Sequence, residues 1–219
     1  MKSIAKMIDH TLLRADARNE EIQALCKEAL DAGFYSVCVN SYFVGLVAKC
    51  LENSDVKVCS VVGFPLGSMS TAAKAFECAD AIQNGADEID MVINLASLKS
   101  GDDDACRLDI QAVVEAAQGR PVKVILECCL LTPEEIERAC RLAEEAGAKF
   151  VKTSTGFSTS GATVADVQRM RASVSSQVEV KASGGIRSYA DAQAMIAAGA
   201  SRIGCSAGLA ILAEESKQA

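Results

Sequence analysis

The feature that most constrains this chain is a regular alternation of short, β-rich apolar runs with amphipathic helical segments. The apolar runs are nearly continuous, which is typical of strands in a parallel sheet that is covered by helices. We identify eight of them: MIDHTLL (7–13), SVCVN (36–40), VKVCSVVG (56–63), EIDMVIN (88–94), VKVILE (122–127), KFVKT (149–153), VEVKAS (178–183) and RIGCS (202–206).

The segments between these runs carry helix signals. In 19–33 the apolar residues recur with the spacing of one helix face. In TPEEIERACRLAEEAG, Thr132 is placed to cap a helix, Pro133 suits the first helical position, and Glu135 completes a capping box. Eight strand–helix repeats in about 200 residues predict an α/β fold, a parallel eight-stranded (β/α)8 TIM barrel. A doubly wound open sheet is the alternative.

A faint repeat supports the barrel. Predicted helix ends carry glycines with spacings of 52, 62 and 52 residues, and these glycines precede strands two, four, six and eight: Gly33, Gly85, Gly147 and Gly199. Five residues beyond each glycine lie Cys38, Asp90, Lys152 and Gly204. Because alternate strands of such a barrel fill one interior layer, we expect these four positions to share a layer.

Composition limits the class of protein. The chain has 219 residues, 50% hydrophobic, with three prolines and no linker-like stretch, so we predict one domain over residues 1–219. The net charge of −7 disfavours nucleic acid and anionic membranes as partners. No run approaches the roughly 18 apolar residues of a membrane helix. Lys6 and Asp9 interrupt any signal-peptide core, and we expect a cytoplasmic protein.

Ten cysteines raise the possibility of a metal or disulfide scaffold. They contain no CxxC pair, and the chain has one histidine, His10, so the close ligand pairs of a zinc site are missing. Most of the cysteines fall on apolar faces, where a thiol behaves as a small buried hydrophobe. We expect reduced thiols and no metal. Cys38 is the one cysteine that falls in the predicted pocket layer, and we interpret its thiol as a packing group.

An inward-facing lysine needs a reason, since a buried ammonium is costly unless it is paired or neutral. Lys152 and Asp90 share the predicted layer, so one interpretation is a salt bridge that joins two strands. The other is an amine that condenses with a carbonyl to form a Schiff base. Lys181, at the end of the next strand, is a second cation that would favour the neutral form of Lys152.

The loops after strands seven and eight are rich in glycine. Gly184, Gly185 and Arg187 follow strand seven, whereas Gly204 and Ser206 lie at the end of strand eight, before the last helix. Backbone N–H groups at such positions bind anions, and barrels often hold phosphate there. Turn formation alone is the alternative. The loop that contains Gly156 is a third candidate to contact the phosphate.

Many motifs, in order along nearly the whole chain, are similar to those of the deoxyribose-phosphate aldolase family, short bacterial type. They are IDHTLL (8–13), SVCVN (36–40), GFPLG (63–67), DEIDMVIN (87–94), KVILE (123–127), FVKTSTGF (150–157), VKASGGIR (180–187) and IGCSAG (203–208).

The resemblance implies a class I aldolase that cleaves 2-deoxy-D-ribose 5-phosphate into D-glyceraldehyde 3-phosphate and acetaldehyde without metal or organic cofactor. Lys152 would form the Schiff base, and Asp90 and Lys181 would handle protons. The phosphate-binding residues would be Gly156, Gly184, Gly185, Arg187, Gly204 and Ser206. Apart from the resemblance, a small barrel with apolar outer helices often dimerises, so we expect a homodimer.

Three positions depart from the family pattern. Ser160 stands where glycine is expected, and Cys205 and Ala207 stand where threonine and serine are usual. We expect Ala207 to weaken phosphate binding and raise KM before it affects the chemistry.

Other functions remain open at this point. An isomerase would use Asp90 as its base, the ten cysteines suggest a thiol-redox or metal-storage protein, and an inactive sugar-phosphate binder is a third option. We interpret Lys123, at the start of strand five, as a supporting charge and assign no role to His10.

Overall fold

The computed structural model describes residues 3–218, in which eight parallel strands close into a barrel. Each strand pairs with the next along the chain, and the eighth pairs with the first. The strands are β1 (Ile8–Leu12), β2 (Ser36–Val39), β3 (Lys57–Val62), β4 (Glu88–Val92), β5 (Val122–Ile125), β6 (Phe150–Lys152), β7 (Glu179–Ser183) and β8 (Arg202–Cys205). Closure confirms the (β/α)8 barrel and makes the open-sheet alternative wrong. The single-domain prediction stays a prediction, and its residues 1, 2 and 219 lie outside the described chain.

Helices surround the strands. They are α1 (Asn19–Ala32), α2 (Val44–Cys50), α3 (Thr71–Gln83), α4 (Leu95–Lys99), α5 (Asp103–Ala116), α6 (Pro133–Glu145), α7 (Val164–Ser173), α8 (Tyr189–Ala197) and α9 (Gly208–Gln218). The predicted capping box of α6 is present, because Thr132 and Glu135 accept each other's backbone N–H groups. Within residues 3–218, no helix has the length and hydropathy that crossing a membrane requires.

The strand residues alternate between two environments. On β4, Ile89 and Met91 belong to the main hydrophobic core between strands and helices, whereas Glu88 and Asp90 form ion pairs inside the barrel. The same alternation holds on β6, where Val151 faces the helices and Lys152 faces inward. The main core is therefore a shell around the barrel, and the barrel interior is free to carry charge.

The interior is itself divided. On the β1–β3 side, Leu13, Cys38, Cys59 and Val61 form a small apolar cluster, against which Phe64 packs. The remaining wall carries lysines and carboxylates. Most charged groups of the interior thus come from β4 to β8, and Asp9 of β1 joins them.

Candidate active site

The four inward positions that the helix-end spacing predicts do share a layer. Lys152 Nζ lies 2.7 Å from Asp90 Oδ2. The Cys38 thiol lies within 4.8 Å of the Asp90 carboxylate. At Gly204, a Cβ atom would lie 3.0 Å from Lys181 Cε, so the missing side chain makes room for that lysine. Spacing along the chain therefore predicted this layer correctly.

The next layer down comes from the odd-numbered strands and supplies two more lysines. Lys181 Nζ lies 2.8 Å from Asp90 Oδ2 and also forms an ion pair with Asp9. Lys123 Nζ lies 2.8 Å from Asp90 Oδ1 and 2.7 Å from Glu88. Three ammonium groups therefore contact the single carboxylate of Asp90.

A third layer closes the bottom of the barrel, and sequence reasoning missed it. Arg202 bridges Asp9 and Glu88 at 3.0 Å each, and its guanidinium stacks 3.4 Å from the centre of the Tyr35 ring. A signal for this layer was available. Because side chains alternate along a strand, Glu88 and Arg202 lie two residues before Asp90 and Gly204 and face the same way.

The ion network fixes the protonation of most of its members. Burial alone would raise the pKa of Asp90, but the adjacent Lys123, Lys152 and Lys181 hold that pKa well below its usual range. Burial acts to lower the pKa of Lys181, whereas Asp9 and Asp90 raise that pKa above its ordinary value. Asp90 is therefore a carboxylate and Lys181 is an ammonium group.

Charge is not balanced within this network. Its cations are Lys123, Lys152, Lys181 and Arg202, and its carboxylates are Asp9, Glu88 and Asp90. With every group ionised, four positive charges face three negative ones. Loss of one proton would balance the network.

Lys152 differs from the other cations in its contacts. Among the described residues its ammonium has one ion-pair partner, Asp90, and shares the bonded oxygen with Lys181. Its side chain is 3% exposed, whereas Lys123 and Lys181 are fully buried. Lys152 also lines a cavity of about 380 Å³ at the carboxyl ends of the strands, which is large enough for a small organic ligand.

The same cavity contains all the residues that the sequence assigned to phosphate: Gly156, Gly184, Gly185, Arg187, Gly204 and Ser206. The loops after β6 and β7 meet without side chains between them, since a Cβ atom on Gly161 would lie 2.1 Å from Gly184 O. Arg187 is exposed at the rim. The cavity thus has an amine at one end and glycine-rich backbone with a guanidinium at the other.

Of the positions that depart from the family pattern, Cys205 lines this cavity, Ala207 follows the lining residue Ser206, and Ser160 precedes Gly161. Ser160 is exposed, Cys205 is buried on β8, and Ala207 is half-buried just before α9. Ser160 is therefore open to solvent, and Ala207 adds no second hydroxyl to that of Ser206 before α9.

His10 and the cysteines, which the sequence also singled out, do not extend this site. His10 faces outward, where its Nε2 lies 2.7 Å from Glu28 and its ring packs on Phe34. Cys38, Cys59 and Asp90 lie close enough to share a metal ion, but the lysines that contact Asp90 are poor neighbours for a cation. All ten cysteines are free thiols, and eight are buried.

A larger surface groove of about 660 Å³ lies between α6 and α7, where Glu137, Arg141 and Arg169 line it. It contains none of the inward-facing lysines. The barrel mouth is therefore the site where the reactive side chains converge.

Comparison with known proteins identifies a family of aldolases. Residues 3–214 match the family described as DeoC/LacD family aldolase. A deoxyribose-phosphate aldolase of Streptococcus pneumoniae is 60% identical over 210 residues, which cover 96% of each chain.

Solved structures agree in fold. A putative deoxyribose-phosphate aldolase from Coccidioides immitis superposes with a TM-score of 0.96 at 44% identity, covering 97% of this chain and 85% of that one. A tetrameric deoxyribose phosphate aldolase from Aeropyrum pernix gives a TM-score of 0.91 at 35% identity, covering 99% and 92% of the two chains.

Proposed function

Because the chain belongs to the DeoC/LacD aldolase family, we propose that it reversibly cleaves 2-deoxy-D-ribose 5-phosphate through a Schiff base on Lys152. The products are D-glyceraldehyde 3-phosphate and acetaldehyde. The observation that carries the proposal is the position of Lys152, whose amine lies at the cavity, 2.7 Å from a carboxylate that a second lysine also contacts.

Lys152 supplies the nucleophile. Among the cations of the network, Lys152 has the fewest ion-pair partners and is the lysine that lines the cavity. The neutral amine adds to C1 of the open-chain aldehyde, and loss of water gives a protonated imine. That imine is the electron sink for the next step.

Asp90 and Lys181 handle the protons. Asp90, through a water molecule, removes the proton of the C3 hydroxyl, the C2–C3 bond breaks, and its electrons pass into the enamine on Lys152. Lys181 stays positive and takes part in the proton relay with Asp90, whose Oδ2 lies 2.8 Å from its Nζ. Protonation of the enamine at C2 and hydrolysis of the imine release acetaldehyde.

The glycine-rich end of the cavity holds the phosphate. Backbone N–H groups around Gly156, Gly184 and Gly204 supply neutral donors, and Arg187 adds a charged one. Since the covalent imine provides the electron sink, the proposed reaction requires no metal and no organic cofactor.

Borohydride trapping tests the proposal. Reduction in the presence of acetaldehyde should leave a two-carbon adduct on Lys152, found by peptide mass spectrometry, and Lys152→Ala should abolish it. Asp90→Asn should slow turnover with less effect on phosphate binding. Turnover without a trappable imine would favour the isomerase that uses Asp90 as a base, and an adduct on Lys123 would reassign the nucleophile.

We also propose a cytoplasmic homodimer. Ten unpaired cysteines suit a reducing compartment. Tyr42 and Phe76 are 85% and 76% exposed as whole residues, which favours burial against a second copy of the chain. Light scattering on the purified protein should give twice the monomer mass, and Phe76→Glu should shift it toward the monomer. A monomer at micromolar concentration would contradict the dimer.

A further inference from the structure

A buried carboxylate lies beside the Lys152 strand and takes no part in the steps above. Glu127 follows β5 and is 3% exposed, and among the described residues it forms no ion pair. Its backbone is left-handed, with φ 56°, which is uncommon for a residue with a side chain. A buried carboxylate without a cation requires hydrogen bonds.

Glu127 accepts a long hydrogen bond from the Cys129 thiol, with Sγ 4.0 Å from Oε1, and its two closer ones from a single residue of the phosphate loop. Thr155 N–H donates to Glu127 Oε1 at 3.2 Å, and the Thr155 hydroxyl donates to Glu127 Oε2. The hydroxyl oxygen in turn accepts from Phe157 N–H at 3.0 Å. Glu127 therefore fixes Thr155, and Thr155 fixes the turn that follows.

That turn contains Gly156, which lines the cavity. Its φ is +85°, and a Cβ atom built there would meet nothing within 4 Å, so this face of the turn is open. The described chain offers its N–H no hydrogen-bond partner. The backbone of β6 is held separately, because Leu126 N–H donates to Lys152 O at 2.9 Å. The Glu127–Thr155 contact thus acts on the loop more than on the strand.

We propose that Glu127 is a positioning residue for substrate phosphate, which acts by holding the 155–157 turn so that the Gly156 N–H stays available to the cavity. The inference rests on the proposed function. It assigns Glu127 to recognition of the phosphate group and leaves carbon–carbon cleavage to the lysine–carboxylate network.

The test compares two substrates of the same enzyme, 2-deoxyribose 5-phosphate and unphosphorylated 2-deoxyribose. Glu127→Gln removes an acceptor from the Thr155 hydroxyl, and Thr155→Val removes the hydroxyl itself. Each variant should lower kcat/KM for the phosphorylated sugar about tenfold to a hundredfold, chiefly through KM, because the Gly156 N–H is displaced. Neither should change kcat/KM for 2-deoxyribose by more than about twofold. Glu145→Gln, an exposed change on α6, is the matched control.

Equal losses on both sugars, or no loss on either, would overturn the proposal. Borohydride trapping with acetaldehyde provides the second readout, since it needs no phosphate and should label Lys152 in both variants as in the parent enzyme. Loss of the adduct in folded variants would also overturn the positioning role. If the parent enzyme itself forms no adduct, the proposed function fails, whatever the variants do.

Discussion

Two lysines of this molecule are buried to nearly the same extent, yet their surroundings differ. Lys74 on α3 lies outside the barrel, where its Nζ donates to Asp109 Oδ2 at 2.6 Å and to Val92 O at 2.9 Å. Lys152 lies inside, and its Nζ shares one oxygen of Asp90 with Lys181. Lys74 is sealed by packing, whereas Lys152 faces the cavity.

The difference shows that burial alone does not identify a reactive amine. Lys74 has a carboxylate to itself and a carbonyl, which together compensate its charge. Lys152 shares the carboxylate of Asp90 with two other lysines, and it lines a cavity that a ligand can enter. A structural lysine differs from a reactive one in how many hydrogen-bond and ion-pair partners compensate its charge and in whether it reaches a cavity.

Replacing each of the two lysines by methionine should affect different properties of the protein. Lys152→Met should lower kcat/KM by at least about a thousandfold, because no other amine reaches the substrate carbonyl. The variant should remain folded by circular dichroism. Steady-state assays measure the loss, and substantial residual activity would show that Lys152 is not the nucleophile.

Lys74→Met should act on stability. It leaves the Asp109 carboxylate buried without its cation, so the free energy of unfolding should fall by about 3–5 kcal/mol. The kcat of the folded variant should be little changed. Urea unfolding measures the loss. The double variant with Asp109→Leu should recover much of the lost free energy of unfolding. If Lys74→Met alone is as stable as the parent protein, the Lys74–Asp109 ion pair does not contribute to stability.

Acid should weaken the barrel network. Burial alone would raise the pKa of Asp9, but Lys181 and its cationic neighbours have the larger effect and lower that pKa below its ordinary value. The pKa of Asp90 is lowered in the same way. The unfolded chain then binds protons more readily, so the stability from each carboxylate is complete above about pH 4 and declines as pH falls toward its folded pKa. Urea unfolding from about pH 6 to about pH 3 should show a loss of roughly 2 kcal/mol or more.

Asp9→Asn should flatten that pH dependence, since it removes one of the two carboxylates. An unchanged slope would show that Asp9 does not contribute.

The smallest effect is expected at the far end of the cavity from the lysines. Ala207→Ser restores a hydroxyl near the start of α9, and one added hydrogen bond to phosphate should lower KM about threefold with kcat unchanged. Ser160→Gly, at an exposed position, is the control and should change neither constant. A KM that stays the same in Ala207→Ser would place residue 207 outside phosphate recognition.

Local patterns were enough to predict most of the frame. Strand composition and the helix-end glycines gave the eight strands and the layer of Cys38, Asp90, Lys152 and Gly204, because both depend on short-range periodicity. The capping box of α6 was likewise readable from the sequence, since its residues lie within one turn.

The rest depends on closure of the barrel. The Arg202 contacts with Asp9 and Glu88 join residues more than a hundred positions apart, and strand register decides which carboxylate each cation meets. Glu127 was missed for another reason. Its function depends on a left-handed backbone after β5, and no glycine marks that position in the sequence.

The absent side chain at Gly204 has a consequence for enzyme redesign. A single added methyl group would press on the stem of Lys181, and that lysine connects Asp9 to Asp90. Directed evolution toward new aldehydes should therefore draw its diversity from the rim loops and keep this glycine constant.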